Sequence, residues 1–258
     1  MQKNLGKILL LLLTSLFLLS SCINIPDINL PGGEKGEILE DDGVKRFTPD
    51  EDKIAVFANG APQGFWARND RGNGHPFNCS FSSSNAIISG GTLSIVLDKQ
   101  GEGFVGAEYR TRMRYSYGYY SVSMKAAACP GVISSFFTYT RPPWDEIDIE
   151  FLGDDTTKVQ FNYYTSGIGG HEYVYYLGFD ASEDFHEYGF DWQEDSITWY
   201  VDGVAVYRAT DNIPSHSGNI MMNIWNVADT NANWAGKFDS SKLPVKAEYQ
   251  WIGYHSAE

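Results

Sequence analysis

The run Trp144–Phe151, WDEIDIEF, places four carboxylates within six positions, at Asp145, Glu146, Asp148 and Glu150. Isoleucine, a residue that favours strands, separates the last three. Side chains alternate faces along a β-strand, so Glu146, Asp148 and Glu150 share one face while Ile147, Ile149 and Phe151 point into an apolar layer. Three like charges in a row raise one another's pKa and resist ionisation. A purely structural strand has no evident reason to accept that cost. Carboxyl groups held in unlike protonation states suit glycoside hydrolysis, in which one acts as nucleophile or base and the other as a protonated acid for the leaving oxygen. Retaining chemistry needs the two about 5–5.5 Å apart. Because Cα atoms four residues apart on a strand are roughly 13 Å apart, Glu146 and Glu150 must lean together. A calcium site is the rival reading, since hard cations take clustered carboxylates. Strict alternation with apolar residues fits a sheet better than a metal loop, so no metal ligand is assigned.

The elements that must hold this strand read as short β-segments separated by turns from Ile54 onward. The runs Thr92–Asp98, Tyr119–Ala126, Val132–Thr140 and Lys158–Thr165 are rich in β-branched and aromatic residues. Ser196–Ala209 has Asp202-Gly203 between two such runs, a strong hairpin signal. No segment shows a long 3.6-residue period with caps, and no 20–50-residue repeat appears. The pattern predicts an all-β chain forming one antiparallel β-sandwich.

Composition narrows the partners. The 258 residues are 43% hydrophobic, enough for a sizeable core, and the formal charge of −14 excludes a nucleic-acid binder, which would be basic. The same charge opposes electrostatic attraction to anionic lipid. Lys3 and Lys7 precede an apolar run from Ile8 to Leu19 that ends Leu19-Ser20-Ser21-Cys22, the pattern of a lipoprotein signal peptide over residues 1–21 with lipid attached at Cys22. Cleavage there removes two lysines and no acid, taking the charge to −16. Residues 22–53, rich in Pro, Gly and acids, read as a flexible tether, and residues 54–258 as the catalytic domain. The chain is therefore expected to be exported and lipid-anchored at a bacterial cell envelope or surface, touching the membrane through that anchor only. A monomer is expected.

Other chemistries lack their residues. There is no phosphate-cradling Gly-Lys-Ser/Thr loop and no Gly-x-Ser-x-Gly elbow, and neither His171-Glu172 nor His186-Glu187 has the second histidine of a zinc helix. Cys79 and Cys129 remain once Cys22 is used, and no disulfide is expected between them.

The segment Trp144–Trp192 resembles the bacterial lichenases of glycoside hydrolase family 16, and the likeness extends more loosely from about Phe57 to Tyr254. That resemblance implies a jelly-roll sandwich with a concave substrate cleft. It also implies retaining hydrolysis of a β-glucan, with Glu146 as nucleophile, Asp148 as its helper and Glu150 as acid/base. Asp148 is expected to keep a negative charge beside Glu150 and so hold it protonated. Laminarin-cleaving relatives commonly bulge this strand before the last glutamate; here Ile149 meets Glu150 directly. Local matches extend to sugar contacts at Asn78, Glu108, Arg110, Phe137, Tyr139, Trp144, Asn162, Tyr164, Asn223 and Trp225. Aromatic rings stack on the C–H faces of pyranoses, while amides and carboxylates meet the hydroxyl edges.

Three departures stand out. Gly106 takes the place of a cysteine that many lichenases pair with the one matching Cys79. The segment before Trp144 is short. Gln250 stands where relatives often place an aspartate for a structural calcium, so no cofactor is expected to be required, and such a calcium is left open. The reading is an endo-acting hydrolase of mixed-linkage β-1,3-1,4-glucan. Its alternatives are a β-glucan or xyloglucan transglycosylase, a β-1,3-glucanase, or a non-catalytic glycan-binding lipoprotein.

Overall fold

A computed structural model describes residues 36–39 and 45–257. The expected signal peptide over residues 1–21, Cys22 and most of the expected tether lie outside the described residues. Of the seventeen strands found there, the first six are β1 (Gly36–Ile38), β2 (Lys53–Val56), β3 (Phe65–Ala67), β4 (Ser80–Phe81), β5 (Ala86–Ser89) and β6 (Thr92–Gln100). Next come β7 (Gly103–Thr111), β8 (Gly118–Lys125), β9 (Val132–Thr140), β10 (Asp145–Leu152), β11 (Lys158–Tyr164) and β12 (Tyr173–Tyr176). The last are β13 (His186–Trp192), β14 (Ile197–Val201), β15 (Val204–Ala209), β16 (Asn219–Asn226) and β17 (Val245–Ser256). One short helix, α1 (Ala232–Ala235), lies between β16 and β17.

The chain forms the expected antiparallel sandwich. One layer, the site sheet, runs β12-β11-β10-β9-β16-β7-β3. The other, the back sheet, runs β1-β15-β14-β13-β8-β17, with β2 and β6 both pairing along β17. All of these pairings are antiparallel; the parallel contact of β4 with β7 is the exception. The predicted hairpin is present: Asp202 and Gly203 adopt φ of 47° and 75°, the left-handed pair of a tight two-residue turn.

Alternation builds the core. Ile147, Ile149 and Phe151 of β10 are fully buried between the layers, as are Tyr120, Val122 and Met124 of β8 and Phe190 of β13. Across the gap Phe151 meets Tyr188 edge-on at 4.9 Å, and Phe161 stacks on Trp199 at 5.6 Å. Both Cys79 and Cys129 are free and buried. A Cβ on Gly106 would lie 3.3 Å from Cys79 Sγ but 2.1 Å from the Ile224 carbonyl oxygen, so a side chain at 106 requires β7 and β16 to shift.

Part of the stretch read as tether belongs to the domain. Lys45 bridges Val204, and Arg46 N donates to the Gly203 carbonyl at 2.6 Å. Thr48 N and Oγ1 both donate to Glu187, at 2.9 and 2.8 Å, and Oγ1 also meets Ser121 Oγ. The reason is local: Ser121 and Glu187 point outward from the back sheet, and this strap covers them and supplies their partners. Gly253 makes room for it, since a Cβ there would come within 2.5 Å of Thr48 Cγ2.

Candidate active site

The site is a grid of side chains on the outward face of the site sheet, laid out by strand register. One row crosses Gln160, Glu150, Ser135, Asn223 and Glu108. The next crosses Asn162, Asp148, Phe137, Met221, Arg110 and Trp66. A third crosses Tyr164, Glu146, Tyr139 and Asn219. β10 keeps continuous register with β9 and β11 from Glu146 to Glu150, with no bulge between the glutamates.

The three carboxylates lie side by side, and none of them has an ion pair with a cation among the described residues. Glu146 accepts a hydrogen bond from Trp144 Nε1 at 2.5 Å. Burial pushes its pKa up to about 7, against the hydrogen bonds from Trp144 and Asp148 that favour its ionised form. Burial also drives Glu150 up to about 8, aided by the charge of Glu146 and opposed by Gln160, whose Nε2 donates to Glu150 Oε2 at 2.9 Å. Asp148 lies well above the carboxylate range because it is buried between the charges of Glu146 and Glu150. Asp148 and Glu146 share a hydrogen bond. The charge of Glu146, with a smaller part from Glu172, adds to burial in raising Glu150. A carboxyl hemmed in by two others is the one that ionises last.

The flanking residues divide into exposed rims and buried supports. Trp144 is half-buried, its ring stacked on Tyr164 at 4.6 Å and 15°. Tyr139 is also half-buried, whereas Phe137 is 6% exposed. Asn162 is buried and accepts from Tyr163 N at 2.9 Å. Asn223 accepts from Ser135 Oγ at 2.7 Å. Glu108 is 1% exposed; Arg68 Nη1 donates to its Oε2 at 3.0 Å, and Arg110 Nη1 lies 3.6 Å from Oε1. Arg110 also sits over the Trp66 ring at 4.4 Å. Trp225 shares the face but is 4% exposed, with Phe77 stacked on it at 3.9 Å. Phe77 therefore covers one face of that ring. Asn78 follows on an exposed loop, tied by its N–H to the Asn226 carbonyl at 2.9 Å.

Sequence reasoning passed over Gln160, Ser135, Phe77 and Trp234. Gln160 had a signal, because it continues the alternation of Asn162 and Tyr164 by one step. Phe77 and Trp234 lie on irregular segments with no period to read. Asp145, the fourth carboxylate of the run, was given no role. It points away from the other three carboxylates and accepts from Ser166 N at 2.7 Å, from Ser215 N and His216 N at 3.0 Å, and from His216 Nδ1 at 2.9 Å. Burial opposes its ionisation, yet these donors outweigh it and hold the carboxyl below its usual range.

On the back sheet, Gln250 accepts from Ser123 Oγ at 2.9 Å. Among the described residues no three His, Cys, Asp or Glu side chains converge on a metal position.

A sandwich whose open sheet carries a row of paired carboxylates between aromatic rings defines a class of protein with known members. Residues 73–253 match the family described as Glycosyl hydrolases family 16. A beta-glucanase of Acetivibrio thermocellus is 50% identical over 209 residues, which cover 78% of this chain and 62% of that protein. The chain thus spans somewhat less than two thirds of that relative's length. The crystal structure of a prokaryotic beta-1,3-1,4-glucanase (lichenase) derived from a mouse hindgut metagenome superposes with a TM-score of 0.76 at 48% identity, covering 79% of this chain and 98% of that one. A beta-glucanase of Bacillus licheniformis does so with the same TM-score at 44% identity, covering 78% and 97%. The chain belongs to glycosyl hydrolase family 16.

Proposed function

We propose that the chain is an endo-acting, retaining glycoside hydrolase that cuts β-1,4 bonds in mixed-linkage β-1,3-1,4-glucan. The observation that carries this reading is the unbulged row Glu146-Asp148-Glu150, facing outward from the site sheet. Glu146 attacks the anomeric carbon as the glycosidic bond breaks, and Glu150 passes its proton to the departing oxygen. The product of this step is a glycosyl ester on Glu146. Esterification removes the Glu146 charge, the largest electrostatic cause of the raised Glu150 pKa. Glu150, already ionised by that transfer, therefore stays a carboxylate and takes a proton from water, whose oxygen attacks the ester and restores both groups with net retention. Asp148 stays protonated and donates to Glu146, which steadies the carboxylate before attack and after release. No cofactor enters either step.

Trp144, Tyr139, Tyr164 and Phe137 serve as faces for sugar rings, and Asn78, Asn162, Asn223, Glu108 and Arg110 order their hydroxyl partners. Trp225 supports Phe77 from below. An unbulged strand keeps acid and nucleophile in one row along a smooth cleft. A β-1,3 linkage bends the polymer there and selects the following β-1,4 bond. The names of the relatives, beta-glucanase and lichenase, support this substrate. Comparing barley β-glucan with laminarin, carboxymethylcellulose and xyloglucan tests it. The mixed-linkage polymer is expected to turn over fastest, and faster turnover of laminarin or xyloglucan sinks the substrate assignment.

The chain is further proposed to be anchored through lipid on Cys22 at the cell envelope. Two or more acyl chains hold stably where one is marginal. Detergent-dependent release from host membranes, with a lipidated N-terminal cysteine found by mass spectrometry, is the expected result.

A further inference from the structure

Behind Glu150 lies a second layer of order that neither the carboxylate pattern nor the resemblance assigns. Gln160 stands directly opposite Glu150 in the register of β10 and β11 and is 5% exposed. Its Nε2 donates to Glu150 Oε2 at 2.9 Å, while its Oε1 accepts from Trp234 Nε1 at 3.1 Å. An indole N–H can only donate. One orientation of the amide therefore satisfies both neighbours, with oxygen towards Trp234 and NH2 towards Glu150. The flipped amide would set two donors against each other.

We propose that Trp234 and Gln160 are positioning residues for the acid/base: Trp234 locks the Gln160 amide so that it donates to Oε2 of Glu150, leaving Oε1 as the oxygen that carries the transferred proton. This rests on the role given to Glu150 above. Oε2 accepts the same N–H whether the carboxyl is neutral or ionised, so the group keeps its place through both half-reactions. The donor also favours the ionised form and checks the rise that burial and the Glu146 charge impose. A freely flipping amide could instead accept from a proton on Oε2, which would stabilise the acid and put its proton on the wrong oxygen.

The lock is itself held. Trp234 belongs to α1, and its ring lies against Trp225 at 6.0 Å and 38°; Trp225 in turn stacks on Phe77. Three aromatic rings thus connect the floor of the face to the amide beside Glu150.

The test is the pH dependence of kcat/KM on β-glucan for the parent chain, Trp234→Phe, Gln160→Met and the double variant. Both single changes are expected to move the alkaline limb upward by about half a pH unit, the equivalent of one ordinary hydrogen bond. The double variant should match Gln160→Met alone, because Trp234 acts only through Gln160. Formation of the glycosyl enzyme from an aryl glycoside with a good leaving group, which needs no proton, should keep its rate in all three. An unmoved limb in both single variants, or additive shifts in the double one, overturns the proposal. So does a Trp234→Phe enzyme whose KM rises at every pH while the limb stays in place, since that assigns the indole to sugar binding. If Glu150→Ala retains the parent's alkaline limb, the role given to Glu150 fails, and that outcome is distinct from failure of the lock.

Discussion

Acidic side chains point outward from both sheets, and the two faces meet them with different partners. On the back sheet, Glu187 receives two hydrogen bonds from Thr48, Asp191 pairs with Arg46 at 3.0 Å, and Glu248 is flanked by Lys125 at 3.0 Å and Lys246 at 2.7 Å. On the site sheet, Glu146, Asp148 and Glu150 crowd one another; among the described residues Trp144 donates to Glu146 and Gln160 to Glu150, and Glu146 and Asp148 share a hydrogen bond. The strand geometry is the same, so the contrast comes from what lies above each face. A strap from residues 45–48 closes over part of the back sheet and meets Glu187 and Asp191, lysines of the sheet itself meet Glu248, and the row Glu146-Asp148-Glu150 stays open. Burial among like charges shifts the site carboxyls towards their neutral forms, which is a cost in stability and the means of acid–base chemistry.

The largest effect should come from breaking the open row. Glu146→Ala and Glu150→Ala are each expected to lower turnover of β-glucan by roughly 10³-fold or more. Azide separates their roles. Glu150→Ala with an activated aryl glycoside and azide should yield the β-glycosyl azide, because the ester still forms on Glu146. Glu146→Ala should yield the α-azide by direct attack into the vacated space. The same anomer from both variants would overturn the assignment.

A smaller effect is expected at Asp148, where the two faces differ most in kind. Asp148→Ala removes a donor that stabilises ionised Glu146, so the Glu146 pKa should rise and the acidic limb of kcat/KM should move to higher pH, with turnover falling by roughly 10–100-fold. An acidic limb that stays put or moves down would show that Asp148 does not act by donating to Glu146.

The smallest effect on activity belongs to the back sheet. Thr48→Val leaves the half-buried Glu187 one donor short, which should cost about 1 kcal/mol, the worth of one ordinary hydrogen bond. For a domain of this size that lowers Tm by roughly 2–4 °C per kcal/mol. Arg46→Ala, which breaks a pair with a partly exposed arginine, should cost less than about 1 kcal/mol. Hydrolysis at 25 °C should be unchanged in both. A loss of activity at full stability in either variant would mean that the strap communicates with the open face.

Much of this contrast could be read from the chain before its structure. The period-two alternation of WDEIDIEF set three carboxylates on one face and buried Ile147, Ile149 and Phe151, because a strand has only two sides. Asn162 and Tyr164 came from the family resemblance, and alternation back from them would have marked Gln160. The Asp202-Gly203 turn was equally plain, since its left-handed backbone suits few other residue pairs. Alternation assigns faces without partners, however. That Asp148 is pushed well above the carboxylate range follows from its burial between Glu146 and Glu150, a matter of neighbours in three dimensions. The strap escaped because residues 45–48 have no period of their own. Their structure comes from Glu187 and Asp191, more than 130 positions away. Trp234 became the neighbour of Gln160 for the same reason: contacts between irregular segments and strands follow from how the chain closes on itself. The sequence by itself determined which side chains face together, a local matter of backbone geometry, whereas the tertiary structure alone decided which partners each of them meets, because those partners come from distant segments.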